Sequence, residues 1–350
     1  MRLSDFDFDL PEELIALRPA VPRTSSRLLV SNGPEISHNS FADLPKFLRP
    51  GDRLVLNETK VIPARLSGLR QRQSENGLTE AKVEVTLLSL DTTGNWLALG
   101  KPSKRVAIGE KIVFSDGFWA ELIAKDSEGM RLNFNLQGGE FDKALAACGM
   151  MPLPPYIAAK RQTDKQDATD YQPVFARVDG AVASPTASLH FTEDLLASLE
   201  AMGVGLSKVL LHVGAGTFLP VKTDDISDHK MHAEWGQISH DTVAEIEDTK
   251  ANSGRVIAVG TTSLRILEAA SQSGQLRAFE GDTDIFIKPG FEFNTVDGLI
   301  TNFHLPKSTL LMLVSALMGV DHMKALYAEA IGENYRFFSY GDSSLLLPEG

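Results

Sequence analysis

"RVIAVGTTSLRILEAASQSG", residues 255–274, decides the fold. Val256 to Val259 form a short apolar run between Gly254 and Gly260, which is the pattern of a buried strand. Directly after it the spacing becomes helical, with Thr261, Thr262 and Ser263 expected to cap the start and Gly274 to end it. A buried strand followed at once by a helix is the repeating unit of an α/β layer.

The same alternation surrounds this segment. "VGLSKVLLHV" (204–213) has the pattern of a buried strand and "DTVAEIEDTKANSG" (241–254) that of a helix with a glycine stop. "DIFI" (284–287) and "GLITNF" (298–303) are expected as strands, and "PKSTLLMLVSALMG" (306–319) and "DHMKALYAEAIG" (321–332) as helices. "RLLV" (27–30) and "DRLVLNET" (52–59) are expected to join the same, largely parallel sheet. Between these regions the character changes. "ARLSGLR", "KVEVTLL", "WLALGK", "EKIVF", "FWAELIA" and "RLNFNL" are short, partly alternating and mostly separated by turn residues, which predicts an antiparallel barrel of about six strands. "GEFDKALAACG" (139–149) is the helix that closes it. The expected fold is therefore a Rossmann-like α/β domain, residues 1–61 and 151–350, with a small antiparallel β-barrel domain inserted at 62–150.

Composition excludes several classes. The chain has 350 residues, 43% of them hydrophobic, which is ample for more than one core. A single cysteine, Cys148, excludes a disulfide framework and fits a reducing cytoplasm. "MRLSDFDFDLPEEL" lacks the apolar run of a signal peptide, and "STLLMLVSALMGV" (308–320) is too short to span a bilayer comfortably. No membrane partner is expected. The net charge of −12 means that nucleic-acid binding would need a local basic patch. Lys101, Lys104 and Arg105 at one turn, with Arg70 near Arg72, are the residues that could form it.

Four segments pair a histidine with small or hydroxyl residues at expected strand ends. "AVASPTASLHF" (181–191) holds His190, "LHVGAGTFLPV" (211–221) holds His212, "DHKMHAEW" (228–235) holds His229, His232 and Glu234, and "TNFHLPKSTL" (301–310) holds His304. The glycines of the second segment lack the third glycine and the immediate helix of a dinucleotide fingerprint, and Pro220 argues against that helix. They suit a loop where a ligand approaches bare backbone. The His229, His232 and Glu234 spacing is not that of a zinc protease, and no metal is expected.

Taken in order, "DFDFDLPEELIA", "LNETKVIPARL", "MPLPPYI", "YQPVFA", "GAVASPTASLHF", "LHVGAGTFLPV", "VIAVGTTSLRILEAA", "TNFHLPKSTLLMLVSA" and "YRFFSYGD" resemble the S-adenosylmethionine:tRNA ribosyltransferase-isomerases of queuosine biosynthesis. The resemblance runs the whole chain. It departs at Ser184 and Ser188, where the family has Ala and Gly. It implies transfer and isomerisation of the ribosyl group of S-adenosylmethionine onto 7-aminomethyl-7-deazaguanine at the wobble position of a tRNA with a GUN anticodon. The products would be epoxyqueuosine-tRNA, adenine and methionine. S-adenosylmethionine is a co-substrate, no cofactor is implied, and a cytoplasmic monomer is expected. Such chemistry needs a base beside the ribose and an acid beside adenine, for which His190, His212, His232 and His304 are candidates, with Glu234 and Asp342 as carboxylates. The matching segments supply the substrate-binding candidates Asn57, Thr59, Arg65, Pro185, Thr186, Gly214, Gly216, Thr217, Gly260, Thr261, Thr262, Arg265, Asn302, Ser308 and Tyr340.

Overall fold

A computed structural model describes the chain apart from residues 75, 76, 92, 215–220, 222 and 350 and the side chain of residue 74. The described strands are β1 (Arg27–Asn32), β2 (Glu35–Ser40), β3 (Arg53–Asn57), β4 (Thr59–Val61), β5 (Arg65–Ser74), β6 (Gly77–Leu90), β7 (Trp96–Lys101), β8 (Lys111–Ser115), β9 (Phe118–Lys125), β10 (Met130–Phe134), β11 (Val178–Ala181), β12 (Gly205–Leu211), β13 (Glu234–Ile238), β14 (Val256–Val259), β15 (Phe279–Thr283), β16 (Gly298–Asn302) and β17 (Ser343–Leu347). The described α-helices are α1 (Gly138–Cys148), α2 (Pro155–Ala158), α3 (Asp167–Asp170), α4 (Glu193–Ala201), α5 (His240–Ala251), α6 (Gly260–Ala270), α7 (Thr309–Met318) and α8 (Val320–Gly332). Strands and helices fall into two compact units. One is Met1–Lys60, Asp170–Val178 and Ser184–Gly350, and the other is Val61–Thr169 with Asp179–Ala183.

The second unit carries a closed barrel of order β10-β7-β6-β5-β8-β9, with every neighbouring pair antiparallel. Helix α1 (Gly138–Cys148) follows it and sends Phe141 into an aromatic cluster with Phe118 and Phe134. The unit takes in residues 151–169 as well as 62–150. Within that tail Arg161 pairs with the fully buried Asp167 at 2.6 Å. Upstream of it Arg65 and Met150 exchange backbone hydrogen bonds of 3.1 and 2.8 Å, which anchor the chain to the barrel strand β5.

The first unit is built on a sheet of order β15-β13-β12-β3-β14-β16-β17-β1-β2. It is mixed rather than largely parallel. The centre, β12-β3-β14-β16, is parallel, and β13, β15 and β2 add antiparallel margins. The central strands are apolar on both faces because both are covered. Leu54, Leu56, Ile257, Val259 and Ile300 pack with Phe41, Leu44 and Leu199 on one side. Helix α6 (Gly260–Ala270) lies along β12, β3, β14 and β16.

Two local expectations are corrected. "DIFI" is not a strand. The strand is the preceding Phe279–Thr283, whose pairing with β13 fixes its register at Glu234 opposite Thr283. Helix α6 begins at Gly260, its N-cap is Val259, and no side chain caps it. Gly260 has φ +87°, a left-handed turn that glycine makes without strain, and Ser263 Oγ turns back to the Val259 carbonyl at 2.9 Å instead of capping. The described late helices are α7 (Thr309–Met318), capped by Ser308, and α8 (Val320–Gly332). Among the described residues no single helix is long and apolar enough to cross a membrane.

The strands are pinned below by Asp52. Its buried carboxylate accepts from the Arg49 N–H at 3.0 Å, from the Arg255 N–H at 3.1 Å and from Arg255 Nη2 at 2.5 Å, while its carbonyl accepts from the Gly205 N–H at 2.8 Å. The starts of β3, β12 and β14 thus share one residue. Burial acts to raise the Asp52 pKa, but the Arg255 guanidinium and the backbone N–H groups outweigh it and hold the carboxyl below 3.8. Asp52→Ala leaves Arg255 uncompensated and should lower the unfolding free energy by about 3–5 kcal/mol in urea at pH 7. A group with a depressed folded pKa stabilises above its unfolded value, so the gap between wild type and variant should narrow as pH falls below 3.8 toward the lower folded value. A gap independent of pH down to full acid unfolding would refute this role.

Candidate active site

Register brings the chemically capable residues to one edge of the sheet. At the carboxyl ends of the parallel strands β3, β12, β14 and β16 stand Asn57, His212, Gly260 and Asn302. The antiparallel neighbours contribute their opposite ends, Glu234 from β13 and Asp342 before β17. Ser26, before β1, reaches the same edge because β1 runs parallel to β17. Ligands in open α/β sheets bind at this edge.

His212 is held on three sides. Its backbone N–H donates to the Trp235 carbonyl at 2.9 Å, its ring stacks on Trp235 with centroids 5.4 Å apart, and its Nδ1 is 2.8 Å from Thr59 Oγ1. Below it Asn57 staples β3 to β12. Its Nδ2 donates to the Leu211 carbonyl at 2.9 Å and its Oδ1 accepts from the Leu211 N–H at 3.1 Å. Asn57 is fully buried, so it orders the strand ends, and Thr59 is the partner of His212. Burial lowers the His212 pKa, yet the ring keeps partial exposure. The next loop is anchored by Glu234, whose Oε1 accepts from the Gly214 N–H at 3.0 Å while its Oε2 pairs with Arg265. Gly216 and Thr217 lie outside the described residues.

The other side of the edge is covered by the turn 184–190. His190 is buried, with its Nδ1 2.8 Å from Ser26 Oγ and its ring 5.0 Å from that of Phe41. Burial pushes its pKa down to about 4, against the opposing pull of Asp342 and Asn302. Asp342 is committed to structure, since its carboxylate accepts from the Arg27 and Arg336 N–H groups at 3.0 and 2.8 Å and from the Arg336 guanidinium at 3.1 Å. His304 Nε2 meets Thr301 Oγ1 at 2.9 Å, and burial pushes its pKa down to about 3. His232 is exposed on the approach to β13. Burial, and then His232, lower the pKa of His229. Among the described residues no three His, Cys, Asp or Glu side chains converge to hold a metal ion.

Among the described residues of this unit, Ser184, Ser188, His190, Thr262, Arg265 and Asn302 are buried side chains that carry a polar atom without a hydrogen-bond partner. Thr262 adjoins Gly260, and a Cβ on that glycine would meet Thr262 Oγ1 at 3.4 Å and Ala187 at 3.7 Å. Buried polar atoms are normally satisfied, and each exception calls for an explanation. On Arg265, Nη1 is taken by Glu234 and the edge formed by Nε and Nη2 is open. Thr261 is buried in the same first turn, Pro185 and Thr186 start the covering turn, and Tyr340 is buried against Tyr171. Ser308 serves as the cap of α7. Sequence reasoning missed Ser26, Trp235 and Phe41, because partners such as Ser26 and His190 are 164 positions apart and no local pattern announces them.

In the barrel unit Arg65 pairs with Glu84 at 2.8 Å, and Arg70 is buried beside the Arg105 carbonyl and Glu110. Lys101, Lys104 and Arg105 are exposed. A separate groove of about 340 Å³ on this unit, lined by Gly68, Lys82, Phe114 and Asp116 among others, contains none of the histidines.

Comparison with known proteins places this arrangement. Residues 3–346 match the family described as queuosine biosynthesis protein. The chain is 63% identical over 350 residues to the S-adenosylmethionine:tRNA ribosyltransferase-isomerase of Roseobacter denitrificans, covering 100% of this chain and 99% of the relative. It is 62% identical over 348 residues to the protein of the same name from Ruegeria pomeroyi, covering 99% and 100%. Among solved structures, the S-adenosylmethionine tRNA ribosyltransferase of Thermotoga maritima is 34% identical, with a TM-score of 0.56, over 98% of this chain and 100% of that one.

The buried imidazoles make a stability prediction. Unfolded histidines titrate near 6.5, whereas His190 and His304 stay neutral in the fold to about 4 and about 3. Unfolding therefore takes up protons below pH 6.5, and stability should fall on acidification from there toward pH 4. Removing one such group, as in His304→Gln, should make the slope between about pH 5 and 6 shallower by about 1.4 kcal/mol per pH unit. Urea unfolding at several pH values reads this directly, and an unchanged slope would mean that His304 is charged in the fold.

Proposed function

The chain belongs to the queuosine biosynthesis family, and from that membership we propose that it is an S-adenosylmethionine:tRNA ribosyltransferase-isomerase. It transfers and isomerises the ribosyl group of S-adenosylmethionine onto 7-aminomethyl-7-deazaguanine at the wobble position of a tRNA with a GUN anticodon. Epoxyqueuosine-tRNA, adenine and methionine are released. S-adenosylmethionine is consumed as a co-substrate, no cofactor takes part, and the protein acts as a cytoplasmic monomer. The observation that carries this reading is the set of unpartnered buried polar atoms on Ser184, Ser188, His190, Thr262, Arg265 and Asn302. They belong to a sheet edge suited to a ligand with many hydrogen-bonding groups.

The chemistry assigns work to this edge. The sulfonium acidifies the adjoining ribose carbon, and a neutral base removes that proton. Adenine then leaves and must be protonated, and the acceptor amine must be uncharged to attack. His212 is the best placed base, since Thr59 orients Nδ1, Trp235 supports the ring face and the ring keeps partial exposure. The carboxylates Glu234 and Asp342 are already paired with Arg265 and Arg336, so they shape the site. Neutral imidazoles and aromatic faces suit a cationic sulfonium better than a second cation would.

The direct test is incubation of purified protein with S-adenosylmethionine and precursor tRNA, followed by mass analysis. Adenine and methionine are expected, and S-adenosylhomocysteine as product would instead indicate a methyltransferase. His212→Ala, checked for folding, should lose on the order of a hundredfold in adenine release at saturating substrates. Near-normal turnover would remove His212 from the chemical step. For RNA, Lys101→Ala with Lys104→Ala should weaken tRNA binding and reduce its salt dependence by about one to two units of slope. An unchanged slope would make these lysines simple solvated charges.

A further inference from the structure

Arg265 is a buried guanidinium, 5% exposed, with one of its three nitrogens engaged. Nη1 donates to Glu234 Oε2, while Nε and Nη2 are buried and have no hydrogen-bond partner. A guanidinium does not give up its protons, so one N–H on Nε and two on Nη2 are left in a dry place. Unmade hydrogen bonds on a buried charged group are costly. The ion pair that anchors the side chain uses the other nitrogen, so packing alone does not account for the open edge.

The guanidinium is anchored at one corner to a residue that is itself held. Glu234 Oε1 accepts from the Gly214 N–H at 3.0 Å, and Gly214 follows His212 by two residues. Trp235, next to Glu234, stacks on the His212 ring with centroids 5.4 Å apart. Arg265 is thus tied through Glu234 to the segment that carries His212. Thr262 stands one turn earlier on the same face of α6, and its buried Oγ1 also lacks a partner.

The N–H bonds of Nε and Nη2 run parallel, which matches two acceptors side by side, as in a carboxylate or a phosphate. The bases of the reaction do not offer that pair. On adenine the N6 amino donor accompanies the N7 acceptor, and on a 7-deazaguanine a carbon replaces N7 beside O6. A phosphate within RNA is flanked by chain on both sides, whereas the methionyl carboxylate is a terminal group that can enter a buried edge. We propose that the Nε–Nη2 edge of Arg265, aimed by Glu234 as a positioning residue, is the subsite that receives the methionyl carboxylate of S-adenosylmethionine. This rests on the activity proposed above. Glu234 already matches the guanidinium charge, so the sulfonium several bonds away meets a neutral pair rather than a lone cation.

The test compares two co-substrates. With precursor tRNA present, adenine release by the full chain is measured with S-adenosylmethionine and with its decarboxylated form, in which hydrogen replaces the carboxylate. The decarboxylated form should have a KM about a hundredfold higher, with a smaller change in kcat, because the lost contact is remote from the reacting ribose. Equal KM values overturn the proposal and leave the activity standing, whereas no adenine from either co-substrate counts against both. Arg265→Lys keeps a cation for Glu234 but loses the planar fork. It should raise KM for S-adenosylmethionine at least tenfold and change that of the decarboxylated form little. Arg265→Gln combined with Glu234→Gln leaves no lone buried charge and should abolish the preference altogether. A general structural role would affect both co-substrates alike, so the ratio of their KM values is the readout. Folded variants that keep the wild-type ratio overturn the assignment. So does a variant that instead raises KM for tRNA and flattens its salt dependence, since the edge would then hold an RNA phosphate.

Discussion

Strand β3 is held at each end by one polar residue, and the α/β unit is organised around that hold. Asp52 gathers the starts of β3, β12 and β14 through its carboxylate and its carbonyl. Asn57 ties the far end of β3 to Leu211 through both its donor and its acceptor. With both ends fixed, the parallel strands cannot slide, since a one-residue slip would turn every side chain to the other face. That fixed register is what sets His212, Gly260 and Asn302 side by side along one edge. The site inherits its geometry from two buried hydrogen-bonding side chains, one at each end of β3.

Charge at this edge is nearly cancelled. Glu234 is matched by Arg265 and Asp342 by Arg336, and burial keeps His190 and His304 neutral. The polar capacity that remains is in hydrogen-bonding atoms rather than in net charge. Selection in such a site comes from the direction of donors and acceptors, because a ligand group that leaves one unpaired loses affinity sharply. Ser184 and Ser188 add two hydroxyls to the covering turn, and both are buried.

Much of this was legible in the chain. Val256–Val259 followed by a helix fixed the α/β layer, and six short alternating segments announced the barrel, because both signals are local and periodic. The segment 284–287 misled, since its apolar residues are buried without belonging to the sheet: Ile285 and Ile287 are core residues of a loop. The cap at Thr261–Ser263 misled because Gly260 had already turned the chain. The edge residues were recognised by type, but their roles were not. Whether Thr59 touches a ligand or a histidine depends on a contact across 153 positions, and Ser26 gave no signal because its partner is 164 away.

The sheet joins distant parts of the chain. Strand β1 lies against β17, and the Arg27 N–H reaches Asp342 across 315 positions. The barrel strands, by contrast, all fall between Arg65 and Phe134 and pair mostly with near neighbours in sequence. On the ribosome these units therefore mature on different schedules. The barrel has all of its strands early, while β1, paired on one side with β2, keeps its other edge open until β17 has emerged. High contact order slows the search and prolongs the exposure of such an edge. Chaperone dependence and losses during overexpression should trace to the unfinished sheet.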